Sequence, residues 1–339
     1  MEFINREKEI EHLKAHFESE PNSLLFVYGP KSGGKSTLLE KIAIDLDKKI
    51  YAINYLDLRQ VIIYNFKTFL NVFFQEDIKE KTKDILSGLT INAGFFHIKL
   101  DEKPMLKKNA FKIIVDKLIS ANKRGIKPII IIDEFHLLKH IYINGERYLI
   151  DEIFNLFIAL TKVRHIAHVV LATSDSYFIE EIYKSSKLAK TSDFFLLDHF
   201  DKETVFHWLK KEEFSEKEIN KVWDFVGGCP WEVRQIIEKK KQGSDVENSI
   251  NMLLKNSYGR VFEFKRTLNR EEKNIFNKVL ESIVYKGFFE VDSEDDNEYL
   301  DILLKKTIDF DIWFYKPEEH KIEANSSSVF HSLKKLISS

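Results

Sequence analysis

The sequence predicts an α/β fold: a parallel sheet with helices on both faces, followed by a helical unit and a smaller mixed unit. Three observations predict it. Short apolar runs alternate with helix-period stretches through roughly the first 200 residues, those runs are apolar at nearly every position, and beyond them helix starts with readable caps take over. Near-continuous apolarity is the mark of a strand buried on both faces. Strands that alternate with helices imply parallel pairing through right-handed crossovers.

The strand candidates are "SLLFVYG" (23–29), "KKIYAINYLDL" (48–58), "KPIIIIDE" (127–134), "AHVVLATS" (167–174) and "SDFFLLDHF" (192–200), all rich in β-branched or aromatic residues. Helical periodicity fills 35–46 and 147–163 between them. Residues 60–126 hold two helical stretches and "LTINAGFFHIKL" (89–100), whose alternation suggests an inserted strand or hairpin. Further on, "SEKE" (215–218), "SDVE" (244–247) and "NREE" (269–272) each place a capping side chain three residues before a Glu. The tail reads as a helix (270–285), a second helical stretch (298–306), two strands (310–316 and 320–324) across "PEE", and a last helix near 328–337. Helix, helix and a two-stranded wing make a winged-helix-like order. The expected division is 1–200, 201–256 and 257–339, and 339 residues suit two or three domains.

Composition removes several classes. A 44% hydrophobic and 31% charged chain is a globular protein with a heavily charged surface. A formal charge of −2 argues against bulk electrostatic capture of nucleic acid. One cysteine, Cys229, excludes an intrachain disulfide framework and a Cys-rich zinc site, and fits a reducing interior. The charged, amphipathic start is not a signal peptide, and no run reaches the roughly 20 apolar residues of a membrane span. A cytoplasmic protein with no membrane partner is the expectation.

"GPKSGGKS" (29–36) fits the Walker A pattern G-x-x-x-x-G-K-S/T at every fixed position. Gly29 lets the chain leave the strand sharply, and Gly33 and Gly34 let backbone N–H groups wrap a β-phosphate with no Cβ in the way. Those donors open a helix whose N-terminal partial charge favours an anion. Lys35 would reach the β- and γ-phosphates, and the Ser36 hydroxyl would ligate Mg²⁺. The expected nucleotide contacts are therefore Gly29, Pro30, Lys31, Ser32, Gly33, Gly34, Lys35, Ser36 and Thr37. The bland alternative is a glycine-rich turn with an incidental lysine. "IIIIDEFH" (129–136) then reads as a central strand delivering Asp133 and Glu134 to its C-terminal edge, where open α/β sheets bind ligands. Asp133 would hold the Mg²⁺ shell through water, and Glu134 would orient the water that attacks the γ-phosphate. "VVLATS" (169–174) ends a further strand in hydroxyls. Ser174, ahead of Thr173, is either a γ-phosphate sensor or a cap on the helix starting near Asp175.

Together, "FINREKEIEHL", the Walker A loop, "IIIIDE", the hydroxyl-ended strand, "GGCPWE" (227–232) and the tail resemble an archaeal-type P-loop ATPase of the AAA+/STAND grouping, over nearly all 339 residues. The resemblance implies a P-loop NTPase sheet of order 5-1-4-3-2, a helical lid, a winged-helix-like domain and ATP or ADP with Mg²⁺ as cofactors. It also implies base contacts near Phe3 to Arg6 and a proline, Pro230, against the nucleotide. AAA+ engines complete the transition-state charge with an arginine from a neighbouring subunit. Here Arg147 and Arg164 lie near the right elements without a diagnostic motif, and Arg234 is a candidate second sensor; for each, the reading as an ordinary surface arginine comes first.

Three functional readings follow. One is an ATP-hydrolysing switch or motor resting on Lys35, Ser36, Asp133 and Glu134, which could oligomerise on binding ATP. Another is a DNA-binding ATPase using the winged helix, against which acidic side chains outnumber basic ones from residue 256 onward. The third is a slow-turnover scaffold holding ADP. A protein partner at the C-terminal domain is expected ahead of DNA.

Overall fold

The computed structural model describes residues 4–74, 107–143, 147–291 and 298–338. Phe3, the alternating segment 89–100 and most of the acidic stretch 291–298 lie outside the described residues. In chain order, helix α1 (Glu7–Glu18) leads to strand β1 (Leu24–Tyr28), helix α2 (Lys35–Asp45) and strand β2 (Tyr51–Asp57). Helices α3 (Phe66–Phe74) and α4 (Lys107–Lys123) precede β3 (Lys127–Asp133). A small hairpin of β4 (Tyr142–Ile143) and β5 (Arg147–Tyr148) and helix α5 (Leu149–Ile158) come next, then β6 (His168–Thr173), α6 (Ser176–Lys184) and β7 (Ser192–Leu196).

The five long strands form one all-parallel sheet in the order β2-β3-β6-β1-β7, which is 5-1-4-3-2 counted from the other edge. The four isoleucines of β3 explain why the sheet needs two covers. Each is 0% exposed, and fully burying such a side chain stabilises by about 1.5–3 kcal/mol. Because successive side chains point to opposite faces, Ile130 and Ile132 join Phe26, Phe135 and Phe154 on one side. Ile129 and Ile131 join Leu13 and Phe17 of α1 and Leu38, Leu39 and Ile42 of α2 on the other.

One strand departs from its sequence pattern. "SDFFL" reads as buried on both faces, yet β7 is only partly buried, because it is an edge strand that pairs with β1 alone. Its phenylalanines are covered by rings instead: Phe194 stacks on Tyr183 at 4.0 Å and Phe195 on His12 at 4.5 Å.

Helices α7 (Lys202–Lys211), α8 (Glu216–Val226) and α9 (Pro230–Lys241), with the first turns of α10 (Val246–Thr267), enclose a second core around Leu209, Val222, Val233 and Ile250. Ser215 forms the expected capping box with Glu218. The second of the expected starts differs: the cap of α10 is Asp245, not Ser244, and its carboxylate accepts from the Asn248 N–H. A start at 246 sets Val246 and Ile250 on the core face, and a charged cap complements the helix N-terminus. Helix α10 then runs without a break through 256 and 257, and its second half gives Val261, Phe264 and Leu268 to the last core.

That last unit contains α11 (Arg270–Lys286, with its Asn269–Glu272 capping box), β8 (Phe288–Glu290), α12 (Glu298–Asp309), β9 (Trp313–Lys316), β10 (Lys321–Ala324) and α13 (Ser327–Ser338). Its sheet is three-stranded and antiparallel, in the order β8-β10-β9, where the sequence suggested a two-stranded wing. The "GFFEV" segment supplies the extra strand, because Phe289 has a place opposite Ile322. The unit packs directly on the large sheet's layer. Phe314 of β9 joins the first core, the Tyr315 N–H donates to Ser176 Oγ at 3.3 Å, and Tyr183 donates to Glu318 at 2.7 Å. No helix among the described residues is long and apolar enough to cross a membrane.

Candidate functional site

The loop between β1 and α2 is shaped by close approach. A Cβ on Gly29 would lie 2.1 Å from the Leu197 carbonyl oxygen, so only glycine lets β1 exit beside the end of β7. Ser32 and Gly34 then take positive φ values of 61° and 94°, which turn the chain back over itself. Nothing lies within 4 Å of a Cβ built on Gly34. No side chain caps α2, whose N-cap is Gly34 itself. The first-turn N–H groups therefore lack the partner that Asp175, Asp201, Ser215, Asp245 and Asn269 provide for other helices.

Lys35 turns inward. Its ammonium donates to the carbonyls of Gly29 and Pro30, both at 2.9 Å, and the residue is 5% exposed. Burial lowers its pKa to about 8, against the opposing pull of the Glu134 and Asp133 charges. Ser36 is half-buried beside it, and Thr37 points to solvent.

Two strands away, β3 ends where the sequence placed its carboxylates. Asp133 is fully buried. Burial pushes its carboxyl above the usual range, with the Glu134 charge adding to the effect and the Ser36 hydroxyl and Arg59 opposing it. Glu134 sits at φ 53°, ψ 43°, a left-handed backbone that a non-glycine residue adopts at a cost of about 1–2 kcal/mol. That turn aims its carboxylate at β6: Ser174 Oγ donates to Glu134 Oε2 at 2.9 Å. Thr173 is engaged elsewhere, its hydroxyl paired with His136 Nδ1 at 2.9 Å and accepting from the Asp175 N–H at 3.0 Å. Asp175, not Ser174, caps α6. The hydroxyl left open between two readings thus faces the carboxylate.

The residue that joins these groups is one the sequence reading did not single out. Arg59, just past β2, donates through Nη2 to Ser36 Oγ (2.8 Å), Asp133 Oδ2 (2.9 Å) and Asp57 Oδ2 (3.0 Å). Its Nη1 lies 3.6 Å from Glu134 Oε1. Burial works to raise the Asp57 pKa, but the Arg59 hydrogen bonds outweigh it and hold that carboxyl below its ordinary value. The available signal was sheet order: β2 beside β3 puts Asp57 in register with Asp133, so "LDLR" had to arrive at the site.

Arg6 ties down the other side. Its Nη2 donates to the Gly33 carbonyl at 3.0 Å and the Asp198 carbonyl at 2.7 Å, and its guanidinium lies 4.4 Å from the centre of the Phe200 ring. Phe200 in turn donates its N–H to the Gly228 carbonyl at 2.9 Å. A Cβ on Gly228 would strike the Phe200 oxygen at 1.8 Å, so the "GGCP" turn fits only as glycine. Pro230, the first residue of α9, follows directly. Lys31 reaches outward, to the Ile308 carbonyl (3.4 Å), the Asp309 carbonyl (3.0 Å) and the Asp311 carboxylate (2.9 Å) beyond α12. The remaining arginines do not converge here: Arg234 pairs along its own helix with Glu238, Arg147 pairs with Glu152, and exposed Arg164 precedes β6 at the opposite edge of the sheet.

The chain that carries this site has recognisable relatives. A family profile, an ATPase domain found predominantly in Archaea, matches residues 3–236. The chain belongs to that archaeal ATPase-domain family. An uncharacterized ATP-binding protein of Methanocaldococcus jannaschii is 36% identical over 341 residues, 99% of this chain and 98% of the relative. A second from the same organism, also described as an uncharacterized ATP-binding protein, is 36% identical over 341 residues, 99% of this chain and 100% of its own. Among solved structures, a Walker-type ATPase of Pyrococcus abyssi superposes with a TM-score of 0.67 at 16% identity, covering 98% of this chain and 96% of that one. The ORC2 protein of Aeropyrum pernix, determined in ADPNP–ADP complexes, gives 0.52 at 13% identity, covering 100% and 96%. At those identities the likeness is one of fold, and it extends through the helical and C-terminal units.

The Lys35 environment makes a prediction for the ligand-free protein. Its folded pKa of about 8 lies below an unfolded value of about 10.4, so between them the unfolded chain holds more protons and stability rises with pH. In urea melts, the wild type should gain stability from pH 8 to 10 relative to Lys35→Met. Parallel pH profiles for the two proteins would contradict the buried-ammonium assignment.

Proposed function

We propose that this chain binds ATP and ADP at the β1–α2 loop, hydrolyses ATP with Mg²⁺, and uses nucleotide state to change the seat of its C-terminal unit. One observation carries the reading. The loop's inward lysine and its following serine stand beside the two carboxylates at the tip of β3, with one guanidinium nitrogen touching Ser36 and Asp133 at 2.8 and 2.9 Å. In this reading the uncapped N–H groups of Gly34, Lys35 and Ser36 cradle the β-phosphate, and Lys35 leaves its two carbonyls to meet the β- and γ-oxygens.

The metal suits the donor set. A hydroxyl and a carboxylate that can share a single nitrogen can share a small hard cation, and both are oxygen donors of the kind Mg²⁺ prefers. Ser36 would hold it directly and Asp133 through water; bound there, it neutralises charge on the phosphate oxygens. Glu134 orients the attacking water, and Ser174 fixes the Glu134 carboxylate, which makes Ser174 a positioning residue. Asn5, Arg6 and the Phe200–Pro230 region border the side of the loop where the base would lie.

The switch rests on Lys31. It belongs to the phosphate loop yet holds Asp311 and two carbonyls of the C-terminal unit, so a loop that rearranges around a polyphosphate disturbs that seat. We take 1–200, 201–256 and 257–339 as the working units, with α10 as the rigid rod that the second and third share. The partner of the third is a protein. The exposed lysines of α12 are both engaged, Lys306 with Glu272 at 2.6 Å and Lys305 over the Tyr177 ring at 4.3 Å, which weakens the case for a basic face toward DNA.

Two experiments test this. Lys35→Ala should abolish ADP and ATP binding, while Glu134→Gln should keep ATP affinity within about threefold and lower turnover by about 10²-fold or more, as expected of a group acting only in the transition state. Retained tight binding in the first, or an unchanged rate in the second, removes that residue from its role. For the switch, hydrogen exchange over residues 305–316 should rise when ATP binds. In Lys31→Ala it should be high without nucleotide; identical exchange in all states would contradict the coupling.

A further inference from the structure

We propose that Arg59 is a built-in cation that occupies the metal position of the nucleotide-free site and must yield it when Mg²⁺ enters with nucleotide. The inference rests on the nucleotide reading above and assigns that site its regulation by a residue of the same chain.

The geometry is that of a cation site already filled. Nη2 of Arg59 is surrounded by three oxygens, Ser36 Oγ at 2.8 Å, Asp133 Oδ2 at 2.9 Å and Asp57 Oδ2 at 3.0 Å. Asp133 has no exposed surface, and a buried carboxylate without a partner is costly. Among the described residues Arg59 forms its one ion pair; its other contacts are polar and include the Tyr55 hydroxyl at 3.3 Å, the Glu134 N–H at 2.9 Å and the Ser36 hydroxyl. Arginine suits the task because its planar fork reaches several oxygens at once and stays charged.

Its tether decides what happens when it moves. Asp57 grips Arg59 at the backbone N–H (2.9 Å), at Nε (2.9 Å) and at Nη2, while the side chain is 47% exposed. Asp57 thus holds the guanidinium along its length, while nearly half of the side chain faces solvent. Two cations cannot share Ser36 and Asp133, since unit charges about 4 Å apart repel by several kcal/mol near a protein surface. Metal entry therefore competes with Arg59, which partly neutralises the carboxylates when Mg²⁺ is absent. A site built this way resists free divalent cations and admits one only when a polyphosphate supplies compensating negative charge.

The test is a Mg²⁺ titration of the full chain at fixed ADP, read by calorimetry, beside ADP binding in chelator and thermal melts without nucleotide. Arg59→Gln should lower the half-saturating Mg²⁺ concentration about tenfold, because the competitor is gone; Arg59→Lys, which keeps a cation, should stay within about threefold of wild type. In chelator without nucleotide, Arg59→Gln should melt lower than wild type, and Asp133→Asn in that background should recover the loss. An unchanged or raised Mg²⁺ half-saturation for Arg59→Gln overturns the proposal, as does a chelator melt equal to wild type. Should the wild type bind no ADP under any condition, the nucleotide reading fails by itself, and the melting comparison still decides whether Arg59 neutralises Asp133.

Discussion

The ammonium of a lysine only 5% exposed has to be held by something, and here it is held by the two carbonyls of the loop that it closes. Lys35 bonds to Gly29 and Pro30 only because the chain between them doubles back, and it doubles back only because Gly29 slips beside Leu197 and Gly34 adopts a left-handed turn. Burial makes the charge costly, which is why its pKa falls. An anion arriving in the loop would relieve that cost, so the structure is poised for one. Every other feature of the site is arranged around this loop.

Three basic side chains act on the loop from three directions, and each joins it to a different part of the molecule. Lys35 folds it inward. Arg6 links the Gly33 carbonyl to the exit of β7 and, through Phe200, to the glycine turn that begins α9. Lys31 links it to the end of α12 and to Asp311. At the carboxylates a fourth, Arg59, joins α2 to the tips of β2 and β3. A rearrangement of a few ångströms in one turn therefore has physical routes to the helical unit and to the C-terminal unit. Buried Glu232 of α9, accepting from Ser326 and Ser328 at 3.1 and 2.6 Å, ties those two units to each other.

Much of the fold was legible because local pattern and global position agreed. The isoleucines of β3 had to be central, the Walker A glycines had to lie between a strand and a helix, and two of the three expected caps are present as boxes. What stayed hidden has one cause: its meaning depends on neighbours distant in sequence. Arg59 is an unremarked arginine until β2 is placed beside β3. Lys31 is a variable position within a motif until α12 comes to rest near it. The partial exposure of β7 follows from its place at the edge of the sheet, which its composition does not record. Asp245 displaces Ser244 as a cap because the core chooses the helix phase.

The central claim is that the backbone N–H groups at the start of α2 form an anion cradle. The most direct measurement is a proton–nitrogen correlation spectrum of protein labelled with nitrogen-15 at glycine and lysine, titrated with ADP and Mg²⁺. The account predicts that the Gly33, Gly34 and Lys35 amide signals move strongly and together, saturating with the nucleotide, while Gly125 and Gly243, in turns remote from the loop, stay in place. Saturating nucleotide that leaves those three amides unmoved would contradict it.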